Sequence, residues 1–159
     1  MQSYKTRALA SHISDRFWLA DGGLETTLIF HHGIDLPHFA SFPLLRSSKG
    51  RARLSDYFEG YLGAARTHGA GFVLDTATWR SGQGWGAIMG HSPEEIDAVN
   101  RDAVAFARAV ASSPAAAGIP VMVNGVVGPH GDAYAPDRLL DEAEAEEAHG
   151  RQVRTLARA

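Results

Sequence analysis

Residues 71–78 read GFVLDTAT, and the prediction of the fold class begins with this stretch. It is a short apolar run with little strict alternation, which is typical of a parallel strand covered on both faces. Two similar runs, Phe17–Ala20 and Pro120–Val127, stand before and after it in the chain. Each run ends in polar or glycine residues. The sequence therefore predicts three strands that lead into polar or glycine-rich turns.

Helical patterns lie between these strands. Apolar residues three and four apart over Leu54–Ala65 predict a helix with one buried face. The stretch HSPEEIDAVNRDAVAFARAV opens with Ser92 as N-cap, Pro93 at the first helical position and Glu95 at the third, which predicts a capping box. The predicted buried stripe of this helix is Ile96, Val99, Ala103, Phe106 and Val110.

Three further segments complete the pattern. A short helix is predicted over Leu24–His32, closed by Gly33, and an apolar loop over Leu36–Leu45. A last helix is predicted from about Arg138 to Ala159, because its early acidic and late basic residues complement the helix dipole. Its predicted inward-facing residues are Ala145, Ala148, Gln152, Val153 and Leu156.

The order β-α-α-β-α-β-α predicts an α/β fold with a parallel sheet, because such crossovers are right-handed. We expect residues 1–159 to form one domain of three β/α units. These units suit a small open sheet or part of a (β/α)8 barrel. A closed barrel takes ~250 residues, so 159 residues predict an incomplete one. Both architectures bind ligands at the carboxyl ends of the strands.

Composition narrows the class of protein. With 45% hydrophobic and 21% charged residues, the chain has ordinary globular composition. A net charge of −3 argues against a nucleic-acid partner. No apolar run approaches the ~20 residues that span a bilayer, and the N-terminal segment lacks a secretory signal. We therefore expect a cytoplasmic protein. The chain has no cysteine, which excludes thiolate catalysis and cysteine-rich zinc sites within it.

Asp21, Gly22 and Gly23 follow the first predicted strand and allow two interpretations. A tight strand-to-helix turn favours glycine, because glycine tolerates positive φ. In a binding site, the glycines would let backbone N–H groups approach a ligand carboxylate, and Asp21 would pair with an ammonium group. An amino acid carries both groups, so the motif suits an amino-acid ligand.

Thr76 and Thr78 share one face of the second strand's end, because side chains alternate along a strand. Their hydroxyls can bind the carboxylate or the amine of a ligand, although β-propensity alone also explains threonine there. Asp75 is predicted to point to the other face, where a structural hydrogen bond would explain it.

The remaining motifs exclude several enzyme classes. NGVVGPHG, residues 124–131, has the character of a backbone-lined pocket rim but is neither a Walker loop nor a dinucleotide fingerprint. The eight histidines are scattered without an i, i+4 pair, which argues against a histidine metal site. No G-x-S-x-G elbow is present. The residues alone identify no nucleophile and no metal ligand.

Three stretches together resemble the homocysteine S-methyltransferase family, whose members transfer a methyl group to the homocysteine thiol. They read LADGGLETTLIFHHGIDLP, YFEGYLGAARTHGAGFVLDTATWRSG and VNGVVGPHGDAY, and the final EAEAEEAHGRQVRTLARA is similar to a family helix. The resemblance implies a zinc-dependent (β/α)8 barrel of about twice this length. It implies substrate-binding roles, without a catalytic residue, in this part of the barrel. The implied substrate-binding residues are Asp21, Gly22, Gly23, Thr76, Thr78 and Gly128. In the loop that Gly128 opens, His130 replaces the usual aromatic residue.

The resemblance also implies a zinc ion held by three cysteines, which lowers the thiol pKa so that homocysteine binds as a thiolate. The donor would be S-methylmethionine or another methyl-onium compound, and the product methionine. None of those cysteines is present. We therefore expect the N-terminal half of a barrel, inactive alone. Its open sheet edges would pair with a complementary C-terminal half or with a second copy.

Several functional hypotheses follow. The chain is a methyltransferase fragment completed by its missing half, a non-catalytic amino-acid-binding module, or a degenerate half-barrel without a ligand. An open-sheet enzyme of another class would need a nucleophile or a metal cluster that the sequence does not show.

Overall fold

Three parallel strands form the sheet, in the order β1-β2-β3. A computed structural model describes residues 15–133 and 139–159. The strands are β1 (Trp18–Ala20), β2 (Gly71–Asp75) and β3 (Val121–Asn124). Leu19 pairs with Phe72, and Phe72 with Val121, so the register brings the three carboxyl ends to one edge. The predicted α/β class with parallel strands is confirmed.

Five α-helices and three short 3-10 turns lie between and after the strands in the described residues. The helices are α1 (Leu24–Phe30), α2 (Ser48–Thr67), α3 (Gln83–Ile88), α4 (Pro93–Ala111) and α5 (Glu142–Arg158) in the described residues. The 3-10 turns are Pro37–Phe39, Phe42–Arg46 and Pro114–Ala116.

The core lies between the sheet and the helices α2 and α4, which both contact it. Side chains alternate along a strand, and on the helix side Phe72 and Leu74 are fully buried. Phe58 of α2 and Ile96 of α4 complete this core. On the opposite face of the sheet, Val73 and its neighbour Met122 are only half-buried. The helices therefore pack on one face of the sheet, whereas the other face remains partly exposed at Val73 and Met122.

Two capping boxes begin the long helices α4 and α5. The Ser92 hydroxyl accepts from the Glu95 amide at 3.2 Å, and the Glu95 carboxylate accepts from the Ser92 amide at 2.8 Å, as the sequence predicts. Asp141 and Glu144 form the same arrangement at 2.9 and 3.0 Å, which the sequence reading did not identify. The last helix begins at Glu142, after the N-cap Asp141, rather than near Arg138. Arg138 itself and the N-terminal segment 1–14 lie outside the described residues.

Several predicted boundaries are wrong. β2 ends at Asp75 rather than Thr78, and β3 ends at Asn124 rather than Val127, because the hydroxyls that follow β2 bind the backbone that follows β3. Helix α3 was not predicted, and the predicted loop Leu36–Leu45 contains two 3-10 turns.

The first and last helices also differ in detail from the prediction. α1 ends at Phe30, two residues before the predicted His32. In α5, Val153 is 47% exposed instead of facing inward, whereas Gln152 is 1% exposed. Gln152 occupies the inward position because its amide makes buried hydrogen bonds. Among the described residues, no helix is long and apolar enough to cross a membrane.

Candidate functional site

An open cavity of about 450 Å³ lies at the carboxyl ends of β1 and β2. Parallel α/β folds place ligand sites at this edge of the sheet. Its walls combine polar residues of the two turns that leave these strands with apolar side chains such as Leu24, Phe39 and Trp79. The lining residues that matter for recognition are Asp21, Gly22, Gly23, Asp75, Thr76 and Arg80.

Two tyrosines of α2 hold the turn that leaves β1. The Tyr61 hydroxyl donates to the Gly22 carbonyl at 3.0 Å. The Tyr57 hydroxyl lies 3.0 Å from the same carbonyl and 3.1 Å from Asp21 Oδ2. Burial raises the pKa of Tyr57, so this hydroxyl stays protonated and acts as a donor. The turn is therefore positioned by two hydroxyls that stand one helical turn apart.

The Asp21 carboxylate lies in an environment that disfavours its charge. Burial raises its pKa from 3.8 to about 6, and repulsion from the Asp75 carboxylate adds to the rise, while the Tyr57 hydroxyl opposes it. Asp21 Oδ1 is buried and accepts no hydrogen bond from the described residues. Asp75 is better satisfied, because Asn124 Nδ2 donates to its Oδ1 at 2.7 Å. A cationic ligand group in the cavity would relieve the repulsion between Asp21 and Asp75.

The hydroxyls of Thr76 and Thr78 join the turn after β2 to the turn after β3. Thr78 Oγ1 lies 2.7 Å from the Val126 carbonyl, which can only accept, so Thr78 donates there. Each hydroxyl has one hydrogen, so across the 2.6 Å contact between the two hydroxyls Thr76 must donate. The Val126 amide in turn donates to Thr76 Oγ1 at 3.0 Å. Both hydroxyl hydrogens are used within the protein, so toward a ligand Thr76 can only accept.

Behind Thr78 lies a fully buried polar network. Gln152 Nε2 of α5 donates to the Thr78 carbonyl at 3.0 Å. Asn100 Nδ2 of α4 donates to the Ser81 carbonyl at 2.9 Å, and the Ser81 hydroxyl donates to Asn100 Oδ1 at 2.8 Å. Because buried polar groups must be paired, this network fixes the segment that carries Thr76, Thr78 and the cavity wall.

Arg80 forms part of that wall between two indole rings. Its Cζ lies 3.8 Å from the Trp85 ring centroid and 4.3 Å from that of Trp79, within the range of cation–π contacts. Arg80 Nη1 donates to the Gly131 carbonyl at 3.2 Å, and Trp85 Nε1 donates to the Pro129 carbonyl at 3.0 Å. The loop after β3 is therefore tied to the segment after β2.

The structure brings together four of the six predicted substrate-binding residues. Asp21, Gly22, Gly23 and Thr76 all line the cavity. Thr78 is fully buried behind the wall. Gly128 packs on Trp79, where an added Cβ would lie 2.1 Å from the Trp79 carbonyl oxygen. Asp75, predicted to face away, lines the same cavity.

Sequence reasoning missed the supporting residues. The apolar pattern over Leu54–Ala65 includes Tyr57 and Tyr61 and predicts only that they face the core, although a buried tyrosine hydroxyl usually has a partner. That requirement, together with their i, i+4 spacing, is the signal that would have identified them. Arg80 carries a signal of its own, since tryptophans stand at positions 79 and 85.

The homocysteine S-methyltransferase family profile matches residues 18–159. The chain belongs to this family. The match includes every residue that lines the cavity.

A solved structure supports the fold assignment. The homocysteine methyltransferase MmuM from Escherichia coli, in its oxidized form, superposes with a TM-score of 0.74 at 21% sequence identity. The superposition covers 98% of this chain and 53% of that one, so this family member spans about half the length of the solved protein. The fold is that of part of a (β/α)8 barrel. No curated protein sequence matches the chain significantly.

The zinc ion that the family resemblance implies does not fit these residues. The 159 residues contain no cysteine. Residues 15–133 and 139–159 also hold no group of three or more histidine, aspartate or glutamate side chains placed to bind a metal ion. A structural or catalytic zinc ion needs three or four protein ligands, and a zinc thiolate site needs cysteines among them. We therefore derive no chemical step from a metal bound to this chain.

Proposed function

We propose that the cavity binds the amino-acid end of homocysteine, and that the chain is the substrate-binding part of a homocysteine S-methyltransferase. One observation carries the proposal. The Asp21 and Asp75 carboxylates line one cavity at the carboxyl ends of the strands and repel each other. An ammonium group in that cavity supplies the opposite charge that favours the ionised carboxylates.

The neighbouring groups favour the same orientation. Thr76 Oγ1 and the Asp75 carboxylate are acceptors on the cavity wall, and an ammonium group has three hydrogens to donate. An added Cβ at Gly22 would have no atom within 4 Å, so protein packing does not require glycine there. We propose that Gly22 instead leaves room for the ligand carboxylate beside the backbone of the turn. Gly23 is also required by its positive φ of 69°, as a tight strand-to-helix turn predicts. Thr78 and Gly128 act indirectly, by holding the wall.

The reaction that this binding serves is methyl transfer from a methyl-onium donor such as S-methylmethionine. The bond between the donor's sulfonium sulfur and its methyl carbon breaks, and a bond from that carbon to the homocysteine sulfur forms. The thiol loses its proton, the donor leaves as a neutral sulfide, and methionine is the product. In this proposal residues 15–133 hold the homocysteine, and the thiolate must be activated by groups that these residues do not contain.

The outer strands indicate how such groups reach the site. In the described sheet, β1 and β3 each pair with β2 alone, so each has an unpaired edge. Phe17 beside β1 is 88% exposed. We propose that further β/α units, from a longer polypeptide or another chain, cover these edges, because exposed strand edges tend to pair. Self-association is the alternative, and light scattering of the purified chain would distinguish a monomer from a dimer.

Titration calorimetry with L-homocysteine tests the binding proposal. We expect the 159-residue chain to bind, and Asp21→Asn to weaken binding roughly 10-fold or more, since a hydrogen bond to a charged group contributes ~1.5–3 kcal/mol. Asp56→Asn is the matched control, because Asp56 is exposed on α2 and lies outside the cavity lining. Equal affinities of the wild type and Asp21→Asn would contradict the proposal.

A methionine-formation assay with S-methylmethionine, together with the calorimetry, separates the three functional alternatives. We expect the chain alone to bind homocysteine without turnover, as a non-catalytic amino-acid-binding module also would. Turnover on addition of a complementary polypeptide that carries the metal ligands would favour the methyltransferase. Failure to bind any amino acid would favour a degenerate half-barrel.

A further inference from the structure

The last residues of β2 and β3 form a polar pair on the partly exposed face of the sheet. Asp75 and Asn124 lie directly opposite each other in the register, two residues beyond the pair of Val73 and Met122. Because side chains alternate along a strand, all four point to the same face. Asn124 Nδ2 donates to Asp75 Oδ1 at 2.7 Å. Two otherwise apolar strands, GFVLD and VMVN, therefore end in a carboxylate and an amide that bind each other.

Folding alone does not require this hydrogen bond. Asn124 is exposed, so water would bind its amide if the carboxylate were absent. Exposed polar pairs contribute little to stability. Asp75, in contrast, lines the cavity together with Asp21, at the edge of the sheet where parallel α/β folds bind ligands. The main effect of the contact is therefore on the cavity wall.

We infer that Asn124 is a positioning residue that holds the Asp75 carboxylate toward the ammonium group of the amino-acid ligand. The inference rests on the proposed function, and it adds the residue that orients one of the two carboxylates. Asn124 binds only Oδ1 of Asp75, so Oδ2 stays available for a hydrogen bond from the ligand. A carboxylate that is ordered beforehand loses less rotamer entropy when the ligand binds.

The neutral amide suits this task because of the charges around it. Burial and then the Asp75 carboxylate raise the pKa of Asp21 to about 6, so the two carboxylates lie within electrostatic reach of each other. Their repulsion would turn an untethered Asp75 away from the cavity. A lysine or arginine in place of Asn124 would hold Asp75 as well, but its own positive charge would repel an ammonium ligand. The amide holds the carboxylate and leaves its negative charge for the ligand.

This arrangement predicts a preference for amines over alcohols. An ammonium group brings a positive charge and three hydrogens, whereas a hydroxyl brings one hydrogen and no charge. Hydrogen bonds between two charged partners are about twice as strong as those between neutral groups. A carboxylate fixed at the cavity wall therefore discriminates an amino acid from the corresponding hydroxy acid, and a carboxylate that rotates into water does so less.

Titration calorimetry with two ligands under reducing conditions tests the inference. L-homocysteine is compared with 2-hydroxy-4-mercaptobutanoate, in which a hydroxyl replaces the ammonium group. We expect the wild type to prefer homocysteine. Asn124→Val removes the amide but suits a strand, and it should reduce that preference roughly 3- to 10-fold. Gln83→Ala is the matched control, because it removes an amide that donates to Asp97 at 3.4 Å, outside the cavity lining. It should leave the preference intact.

A double-mutant cycle shows whether Asn124 acts through Asp75. Asp75→Asn should itself lower the preference for homocysteine, because it removes the charge that the ammonium group meets. In that background Asn124→Val should change the preference little, since the carboxylate that Asn124 positions is gone. An effect of Asn124→Val that is equally large with and without the Asp75 carboxylate would contradict the inference.

The outcomes separate this inference from the proposed function. If Asn124→Val leaves the preference unchanged or weakens both ligands equally, the inference is wrong while homocysteine binding stands. If the wild type binds neither ligand, or binds both equally, ammonium recognition fails and both proposals are overturned. Circular dichroism verifies that each variant is folded. If Asn124→Val does not fold, Asn124→Ala takes its place, and an unchanged preference in that variant refutes the positioning role.

Discussion

Replacing Asp21 by asparagine should stabilise the protein while it weakens the site. The pKa of Asp21 is raised from 3.8 to about 6, mainly by burial and then by the Asp75 carboxylate. The native state therefore holds the proton of Asp21 more tightly than the unfolded chain does. Asparagine has nearly the same shape and still accepts from the Tyr57 hydroxyl, but it carries no charge to desolvate.

The magnitude follows from the linkage between proton binding and folding. A rise from 3.8 to about 6 corresponds to roughly 3 kcal/mol at about 1.4 kcal/mol per pH unit. Asp21 is only partly buried, and solvent screening reduces this value to about 1–2 kcal/mol. Below pH ~4 Asp21 is protonated in both states and its penalty vanishes. The wild type should therefore lose stability relative to Asp21→Asn as the pH rises from about 4 to 6, and the difference should then stay constant.

Urea denaturation of both proteins at a series of pH values measures this difference, and other titrating groups cancel in the subtraction. Asp56→Asn, which alters an exposed carboxylate, should give a small and nearly constant difference over the same range. A variant Asp21→Asn that is no more stable than the wild type at pH 7, or a difference that does not shrink toward pH 4, would refute the assignment of Asp21 as a carboxylate whose charge its environment disfavours.

Three further variants test the supporting structure. Gly22→Ala should change the free energy of unfolding by less than ~0.5 kcal/mol but weaken homocysteine binding in calorimetry; unchanged affinity would mean that the ligand does not approach this backbone. Tyr57→Phe removes a donor to Asp21, so the pH below which homocysteine affinity falls should move upward from about 6, and an unmoved profile would contradict the contact. Gln152→Leu should cost ~1–3 kcal/mol in urea denaturation because its buried hydrogen bonds are lost. Val153→Ala, at the exposed neighbouring position, should cost much less, and equal costs would argue against the buried network.

Local signals explain which parts of the fold the sequence predicts well. The apolar strand Gly71–Asp75 and the capping box at Ser92 depend on residues within one segment. Helix α3 was missed because Gly82, Gly84 and Gly86 lower helix propensity. Its formation depends on tertiary packing instead, since an added Cβ at Gly86 would lie 2.3 Å from Ile96 Cγ1.

In the candidate site as well, local sequence signals were identified and long-range contacts were not. The Asp-Gly-Gly turn was identified because acid and glycines are adjacent in the sequence. The contacts of Tyr57 with Asp21 and of Gln152 with Thr78 join residues 36 and 74 positions apart, and no local pattern reports them. Whether each threonine hydroxyl donates or accepts depends on its contacts with the Val126 carbonyl and amide. The conclusion that Thr76 can only accept a hydrogen bond from a ligand therefore requires the structure.

The position of Gln152 sets a lower limit on how far this polypeptide can be shortened. All three strands and every residue of the cavity wall lie before residue 133. A fragment that stopped there would nevertheless expose Asn100 and Ser81 to water from the side that α5 now covers. A recombinant fragment that contained only the residues of the cavity would therefore lose the buried hydrogen-bond network that supports it. A useful fragment must retain the C-terminal helix through Gln152.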